Sequence, residues 1–535
     1  MKKNRILGMI LAGAIMAGVL AACAPAAPTP TAPAPPPATT PAAPATQPPV
    51  AEPAAPPVEE LGRPIIVATR DEPPSVAPGQ HNAVAGSYMN AMSHVGLFRL
   101  DAATLLPVPD LVESWQAISD TVFEFTIRQG VLFHNGETVT AHDFVASFDY
   151  VRNYPLAAAS RISIVYYEAV DDFTLRIDTD VPNAMLINDL THHSNTVMPA
   201  SLIEAGHNFE DNPVGAGPFR FGEWRRGDSL TYHAFEEFFD RDRAARVESV
   251  TWRIIPEGAS RTIALETGEA HYNVYVAFED IARLEAHPDI DVRTITGTSH
   301  NKLLMNNELP QFQDQRVRRA MGMAIDLEAV TIVGMNGFAI PTWSQVPTIF
   351  EGGTDEGTFG FDPEGARALL AEVGVDPSTL GFTIVASNEE RRRMGEVFQA
   401  NLADIGIPVE IEMNDLATTL ARTQQGDYEA AFGGFNSASF LGYVRGVLHP
   451  SQVGASNRSR IVNQELGDLI DQALATIDQN ARISIYEEIS RVANEHTGHI
   501  PTHLAMVVRA FSSNLHVPEL PATGALWLNM MSWLD

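Results

Sequence analysis

The chain is poor in two things: cysteine and positive charge. Its only cysteine in 535 residues is Cys23, so the body that follows cannot form disulfides and its stability must come from core packing. Lysine and arginine together number 35 against 66 aspartates and glutamates, a net charge of −31. This acidic balance argues against nucleic-acid binding and against an electrostatic hold on anionic lipid. It does not fix the charge of a local pocket.

The N-terminal segment has the pattern of a lipoprotein signal. Lys2, Lys3 and Arg5 precede an uncharged run over residues 6–22, which ends in small residues directly before Cys23. The run is shorter than the roughly 20 residues that a spanning helix needs, so a membrane helix is the weaker interpretation. The sequence predicts a signal peptide over 1–22 and an acyl-carrying Cys23 that anchors the protein to a membrane.

A proline-rich tether is predicted over residues 23–60, with Cys23 at its head. Between residues 24 and 57 lie 14 of the chain's 37 prolines, with alanine and threonine and almost no large apolar side chain. Such a segment cannot bury a core and favours extended polyproline II, which would hold a folded body up to roughly 100 Å from the lipid.

The body after residue 60 exceeds the roughly 300 residues at which single cores stop growing, so at least two lobes are expected. Strand-like and helix-like segments alternate along it, which indicates an α/β fold. A strand is predicted over 123–128, and Thr140 with Asp143 forms a capping box that opens a helix. Further predictions are a helix capped by Asp314, a helix from Pro363 to a stop at Gly374, and a strand over 382–386 followed by a helix.

Several motifs in these segments resemble the solute-binding proteins of peptide/nickel-type ABC importers. In chain order they are residues 111–115 (LVESW), 125–137 (FTIRQGVLFHNGE), 140–143 (TAHD), 212–219 (NPVGAGPF), 264–270 (ALETGEA), 314–320 (DQRVRRA), 362–374 (DPEGARALLAEVG) and 405–407 (IGI). One such match is weak, but this many in the family's order indicate membership over nearly the whole body.

The resemblance implies a periplasmic-binding-protein-like α/β fold, with two lobes hinged around a cleft. The implied division is lobe I over 61–298, with an extra subdomain about 88–205, lobe II over 299–500, and a return to lobe I over 501–535. Chain crossings are expected near Thr298 and Pro501.

The function implied is that of a monomeric, membrane-anchored receptor outside the cytoplasm. It would capture a peptide or a similar polar solute by hinge closure and deliver it to the importer's permease subunits, without catalysis or cofactor. An oligosaccharide or a nickel chelate is the alternative solute, because the family includes such members. A non-transport lipoprotein, hydrolytic or chaperone-like, is a further alternative, since a fold does not by itself fix a function.

Candidate ligand contacts follow the strand over 382–386. Asn388, Arg391 and Arg392 stand where an α/β sheet gathers ligands, and a guanidinium there could hold a carboxylate at two points. A solvated basic turn is the alternative interpretation.

Aromatic and polar candidates come from two segments that resemble cleft-lining parts of the family, and from a helix predicted to start at Tyr88 and run toward Leu97. They are Phe435, Asn436, Phe440, Trp343 and Tyr88, with core packing as the alternative for the aromatic residues. Residues 435–439 (FNSAS) supply no carboxylate where dipeptide-binding relatives have one. This departure makes recognition of a free α-ammonium doubtful and favours the oligosaccharide alternative.

An enzyme or metal site finds little support in the sequence. His496, His499 and His503 form no HExxH motif, and Pro501 interrupts any helix that would align them. His192 and His193 are adjacent and project differently on a regular element. No catalytic residue and no metal ligand is predicted.

Overall fold

The computed structural model describes residues 61–81, 84–101, 104–154 and 163–534. The chain from Glu60 onward forms one compact unit. The predicted signal peptide, Cys23 and the tether lie outside the described residues. No helix among the residues described combines the length and the apolarity needed to cross a bilayer.

The strands outnumber the long helices, and both kinds of element alternate along the chain. The strands are β1 Ile65–Thr69, β2 Phe98–Leu100, β3 Pro107–Pro109, β4 Val112–Ser119, β5 Val122–Ile127, β6 Ile164–Asp171, β7 Thr174–Thr179, β8 Phe219–Arg225, β9 Ser229–Ala234, β10 Ser249–Ile254, β11 Tyr272–Asn273, β12 Ile290–Met305, β13 Ala339–Pro341, β14 Phe382–Ala386, β15 Val409–Met413, β16 Ala430–Asn436, β17 His499–Ser512, β18 Leu515–His516 and β19 Ser532–Trp533.

The helices are α1 Val84–Ser93, α2 Ala141–Arg152, α3 Leu186–Asp189, α4 Ala200–Glu204, α5 Gly258–Glu266, α6 Ile281–Glu285, α7 Pro310–Gln313, α8 Gln315–Met323, α9 Leu327–Met335, α10 Pro363–Val373, α11 Glu389–Asp404, α12 Leu416–Gln425, α13 Phe440–Val447, α14 Gln464–Ala475 and α15 Gln479–His496. Short 3-10 turns lie between several of them.

Eleven strands form one sheet in the order β15-β14-β16-β12-β17-β11-β1-β10-β9-β8, with β13 added beside β17. The half with β14, β15 and β16 belongs to the second lobe, and the half with β1 and β8 to β11 belongs to the first. In each half the central strands are parallel: β14 with β15 and β16, and β1 with β10 and β11. The two long antiparallel strands β12 and β17 join the halves. The α/β class and the two-lobed architecture are therefore as predicted.

Each lobe has its own hydrophobic core. In the second lobe, Phe398 of α11 and Phe432 of β16 meet edge to face above strand β14. In the first lobe, Trp252 of β10 packs with Phe511 of β17 and with Met531 near the C-terminus. The C-terminal segment thus shares the core of the first strands, because β17 returns to that half of the sheet.

A separate four-stranded antiparallel sheet, β4-β5-β7-β6, carries α2 on one face. The predicted capping box opens this helix: the backbone N–H of Thr140 donates to the Asp143 carboxylate over 2.8 Å. Phe144, Phe148 and Val151 of α2 are buried, as their spacing predicts. The numerical lobe and subdomain boundaries stay a prediction, although Thr298 and Pro501 do lie on the joining strands β12 and β17.

The other local predictions agree with the structure, with one exception. Asp314 caps α8, and α10 runs from Pro363 to a left-handed Gly374 with φ 76°. Strand β14 has the predicted bounds. The exception is the helix predicted to start at Tyr88 and run toward Leu97: α1 begins earlier, at Val84, and ends at Ser93.

Candidate ligand-binding cleft

The candidate site lies where the paired strands β12 and β17 pass from one lobe to the other, a place called the β12/β17 crossing below. Their register shifts between Thr296 and His300 and again between Asn301 and Lys302. Irregularities of this kind bend a strand and redirect its side chains, and they recur beside functional sites. The joining strands are thus irregular at the point where both lobes meet.

A cavity of about 520 Å³ lies at this crossing, within the range of small-molecule sites. The second lobe contributes Met335, the start of α11 and strand β16, while the first contributes Arg70 and the segment after β11. The lining residues are Arg70, Arg261, Val274, Tyr275, Val276, Ala277, Phe278, Glu279, Ser299, Asn301, Lys302, Met335, Asn388, Glu390, Arg391, Met394, Phe432, Gly433, His503, Ala505, Met506, Val508 and Arg509. Both lobes and both joining strands therefore border the same space.

A smaller cavity of about 280 Å³ continues the first on the side of the second lobe. It shares Ser299, Asn301, Arg391, Phe432 and Gly433 with the larger cavity. Its remaining lining residues are Leu416, Thr419, Leu420, Gly434, Asn436 and Arg458. The two cavities form one cleft, lined by both polar and apolar groups.

The arginines on the first-lobe side are bound to the protein itself. Arg261 is 5% exposed and donates to the backbone carbonyls of Ile255, Pro256 and Tyr275. Arg509 donates to the carbonyls of Val274 and Gly524. These two guanidiniums brace the loops that border the cavity, because each ties several backbone carbonyls together.

Beneath the cleft wall, a lysine and a histidine of β12 meet a tyrosine of α13. Lys302, 1% exposed, donates from its amine to the Tyr443 hydroxyl over 2.6 Å, and His300 Nδ1 lies 2.5 Å from the same oxygen. The Tyr443 hydroxyl in turn donates to the carbonyl of Gln345. Burial, and then the charge of Lys302, lower the pKa of His300 well below its usual range. Burial, and then the charge of Arg458, lower the pKa of Lys302 well below its usual range. The network ties β12 to α13 through polar groups.

The structure brings three of the predicted site residues to the cleft: Asn388, Arg391 and Asn436. Asn388 caps α11, its Oδ1 accepting the backbone N–H of Arg391 over 2.9 Å. Asn436 accepts from the Thr298 hydroxyl over 2.6 Å. The roles of these three residues in ligand binding stay predictions.

The structure places the other candidates away from the cleft lining. Arg392 lies on the surface of α11, where it pairs with Glu389 and Glu396. It is turned from Arg391 by the 100° step of one helical residue. Trp343 packs on the second-lobe core and meets Phe359 edge to face, with ring centroids 5.5 Å apart.

Three aromatic candidates lie in packed surroundings. Phe435 lies edge to face with Tyr443, and Phe440 stacks on Tyr486 at 4.2 Å. Tyr88 is 7% exposed and donates to the carbonyl of Gly524. Core packing, the alternative interpretation of these aromatics, describes their observed surroundings.

Sequence reasoning did not single out Asn301, Lys302 or Arg458, which border or underlie the cleft. Asn301 and Lys302 lie inside a long strand without a motif, and Arg458 lies in a loop between α13 and α14. One signal was available for Lys302, since it is the only lysine after residue 3 in the whole chain. Arg458 has no comparable signal, because its approach to the cleft depends on tertiary packing.

Known proteins resemble this chain in sequence and in fold. Residues 107–444 match the family model of bacterial extracellular solute-binding proteins, family 5. A glutathione-binding protein, GsiB, of Shigella dysenteriae is 25% identical over 84% of this chain and 91% of its own. A dipeptide-binding protein of Escherichia coli is also 25% identical, over 72% and 79%.

Solved structures share the fold. The periplasmic binding protein DppA of Helicobacter pylori, in complex with the peptide STSA, superposes with a TM-score of 0.77 at 22% identity and covers 89% of this chain and 99% of its own. HbpA2 of Haemophilus parasuis gives 0.78 at 21% identity, over 88% and 100%. The two-lobed architecture, the cleft at the joining strands and a family match over more than half of the sequence lead to one conclusion: the chain belongs to the bacterial extracellular solute-binding proteins of family 5.

Proposed function

We propose that this protein captures a peptide-like solute in the cleft between its lobes and delivers it to the permease of an ABC importer. The observation that carries the proposal is the cavity at the β12/β17 crossing, bordered by both lobes. A solute held there contacts the first lobe near Tyr275 and the second near Arg391. Contacts with both lobes exist together only when the cleft is closed, so binding favours the closed state that a permease can recognise.

Peptides are the proposed solute class because named relatives bind a dipeptide or glutathione, itself a small peptide. The cleft also offers amide groups, from Asn301 and Asn388, that suit a peptide backbone. An oligosaccharide is the main alternative. However, the aromatic residues proposed for sugar stacking, Phe435 and Trp343, do not line the cleft.

A nickel chelate is the other alternative. Among the residues that the structure describes, no group of three histidine, aspartate or glutamate side chains is placed to hold a metal ion. A chelate that brings its own ligands needs fewer protein groups, and His503 borders the cavity. Nickel with free histidine therefore belongs among the solutes to be tested.

The protein is further proposed to act as a membrane-anchored monomer outside the cytoplasm. The family description places its members outside the cell, and the lipobox pattern ending at Cys23 supplies the anchor. Labelled palmitate incorporated by cells expressing the full chain should be absent from the Cys23→Ser variant. Equal labelling of both would contradict the anchor.

A thermal-unfolding screen tests the receptor function. The chain from Glu60, a compact unit by itself, is partly unfolded and refolded to release carried-over ligand. It is then heated with short peptides, oligosaccharides or nickel–histidine. A ligand at a hundred times its dissociation constant adds about 2.7 kcal/mol to the free energy of unfolding, a visible shift in Tm. A selective rise with peptides supports the proposal, and no rise with any class on folded protein contradicts it.

A further inference from the structure

The smaller cavity of the cleft contains positive charge without negative charge. Arg391 and Arg458 both line it, and no acidic residue does. Neither guanidinium forms an ion pair with a carboxylate anywhere in the described parts of the chain. The whole protein carries a net charge of −31, so an acid-free basic cavity stands out against its surroundings.

The partners of both guanidiniums are neutral. Arg391 donates from Nη1 to the Ser387 hydroxyl over 2.5 Å, and Arg458 donates from Nη2 to the carbonyl of Gly434 over 3.1 Å. Burial, and then the charge of Arg458, lower the pKa of Arg391 from its usual value, and the nearby Glu390 offsets part of this shift. Two partly buried like charges, neither of them in an ion pair, are stabilised when an anion joins them.

Polar neutral groups complete the wall around these charges. Ser299 offers a hydroxyl and Asn301 an amide to the same cavity. The Thr419 hydroxyl lies in the same wall and donates to the backbone carbonyl of Asp415. Strand β16 has glycines at 433 and 434, where a Cβ at residue 433 would lie 2.7 Å from Leu304 Cδ1 and 3.3 Å from Arg458 Nη2. The absence of side chains at this point keeps the space in front of the guanidinium open.

The outer edge of the same cavity is apolar. Leu416 and Leu420, one turn apart on α12, are 55% and 38% exposed and both line it. Large exposed apolar side chains at the entrance of a polar pocket suit a ligand that carries an apolar group next to its polar one.

We propose that this smaller cavity is an anion subsite, in which Arg391 and Arg458 hold a carboxylate or similar oxyanion of the solute while Leu416 and Leu420 cover an adjacent apolar group. The subsite rests on the proposed receptor function. It narrows the proposed solutes to those that carry an apolar group next to a carboxylate or similar oxyanion. A guanidinium pair is well suited to this, since each can donate two parallel N–H groups to an oxyanion.

Two matched probes test the subsite: N-acetyl-Leu-Glu, with two carboxylates, and N-acetyl-Leu-Gln amide, which is neutral and of similar size. Their dissociation constants are measured by titration calorimetry on the chain from Glu60. The acidic probe should bind about tenfold tighter or more, since hydrogen bonds to charged groups are the stronger kind. Its affinity should fall as salt is added.

Three variants locate the effect. Arg458→Gln should remove the preference for the acidic probe. Asn301→Asp, of nearly the same shape, should fold normally and weaken the acidic probe, because it adds a carboxylate to the same wall. Arg422→Gln is the matched control: Arg422 lies on α12 but outside the cleft, paired with Glu412.

The outcomes separate the subsite from the receptor function. Equal affinity for both probes, or a preference that survives Arg458→Gln, overturns the subsite. If a neutral peptide or oligosaccharide then still binds, the receptor function stands without it. If neither probe nor any solute class binds, both proposals fall.

Discussion

The amine of Lys302 donates to the hydroxyl of Tyr443 over 2.6 Å and lies 4.6 Å above the centre of the same ring. This is the only lysine in the chain after residue 3, and it is 1% exposed. The lysine therefore joins strand β12 to helix α13 from inside the wall of the cleft. It also gives a single chemical reporter at the crossing of the lobes.

Amine modification should distinguish Lys302 from the free amino terminus. Reductive methylation of the chain from Glu60, followed by mass spectrometry of its peptides, should modify the terminus quickly and Lys302 slowly, because burial withholds the amine from reagent. A bound solute should slow Lys302 further by favouring closure. In the unfolded chain both amines should react. Rapid modification of Lys302 in the folded protein would contradict its burial.

Arg391 and Arg392 should differ in their effect on binding. Arg391→Gln removes a guanidinium from the cleft and should weaken an acidic peptide about tenfold or more. Arg392→Gln removes only surface pairs with Glu389 and Glu396, which solvent screens, and should leave the affinity unchanged. Titration calorimetry compares the two. Loss of affinity in Arg392→Gln alone would support the surface residue as the contact and contradict this placement.

His503 should make the fold sensitive to mild acid. Burial, and then the charge of Arg391, lower the pKa of His503 to about 4 from its usual 6.5. The unfolded chain therefore takes up a proton below pH 6.5 while the folded chain does not until about pH 4. The free energy of unfolding is therefore unaffected by His503 above pH 6.5. It falls by about 3 kcal/mol as the pH falls from 6.5 to 4.

The His503→Asn variant checks this value. Its free energy of unfolding, measured by denaturant titration, should depend less on pH between 6.5 and 4 than that of the wild type. His516→Asn, at an exposed position on β18, is the control for the substitution itself. Parallel curves for His503→Asn and the wild type would contradict the lowered pKa.

Asp189 should act in the opposite direction. It lies 3.6 Å from Arg445 of α13, and burial, which outweighs that arginine, raises the pKa of its carboxyl to about 6 from 3.8. Between these values the folded protein binds the extra proton, so Asp189 favours folding more as the pH falls from 6 to 3.8. Over that interval the free energy of unfolding of the wild type should rise by up to about 3 kcal/mol relative to that of Asp189→Asn. Denaturant titrations at several pH values measure the difference, and a difference that does not vary with pH would contradict it.

Local features of the fold could be predicted because their causes lie within a few residues. Asp362, Pro363 and Gly374 give α10 its bounds through capping and a left-handed turn. The bounds of β14 also follow from local sequence, because they coincide with a compact apolar run. The helix expected to start at Tyr88 begins at Val84, one turn earlier.

The cleft itself could be predicted only in part, because tertiary structure decides which side chains point into it. On β16 successive side chains point to opposite faces, so Asn436 lines the cleft while Phe435 packs against Tyr443. The sequence shows the alternation and leaves open which face meets the ligand. Arg458 enters through a loop whose path depends on contacts far along the chain, such as its hydrogen bond to Gly434.

The proposed receptor function requires one solute to bind between the lobes, where β12 and β17 pass from one lobe to the other. A crystal structure of the chain from Glu60, grown with the tightest-binding solute of the screen, would locate that solute. Its density is expected in the cleft beside Asn301 and Arg391, in contact with both lobes. Density for the solute elsewhere on the protein, with the cleft empty at saturating solute, would contradict the proposed function.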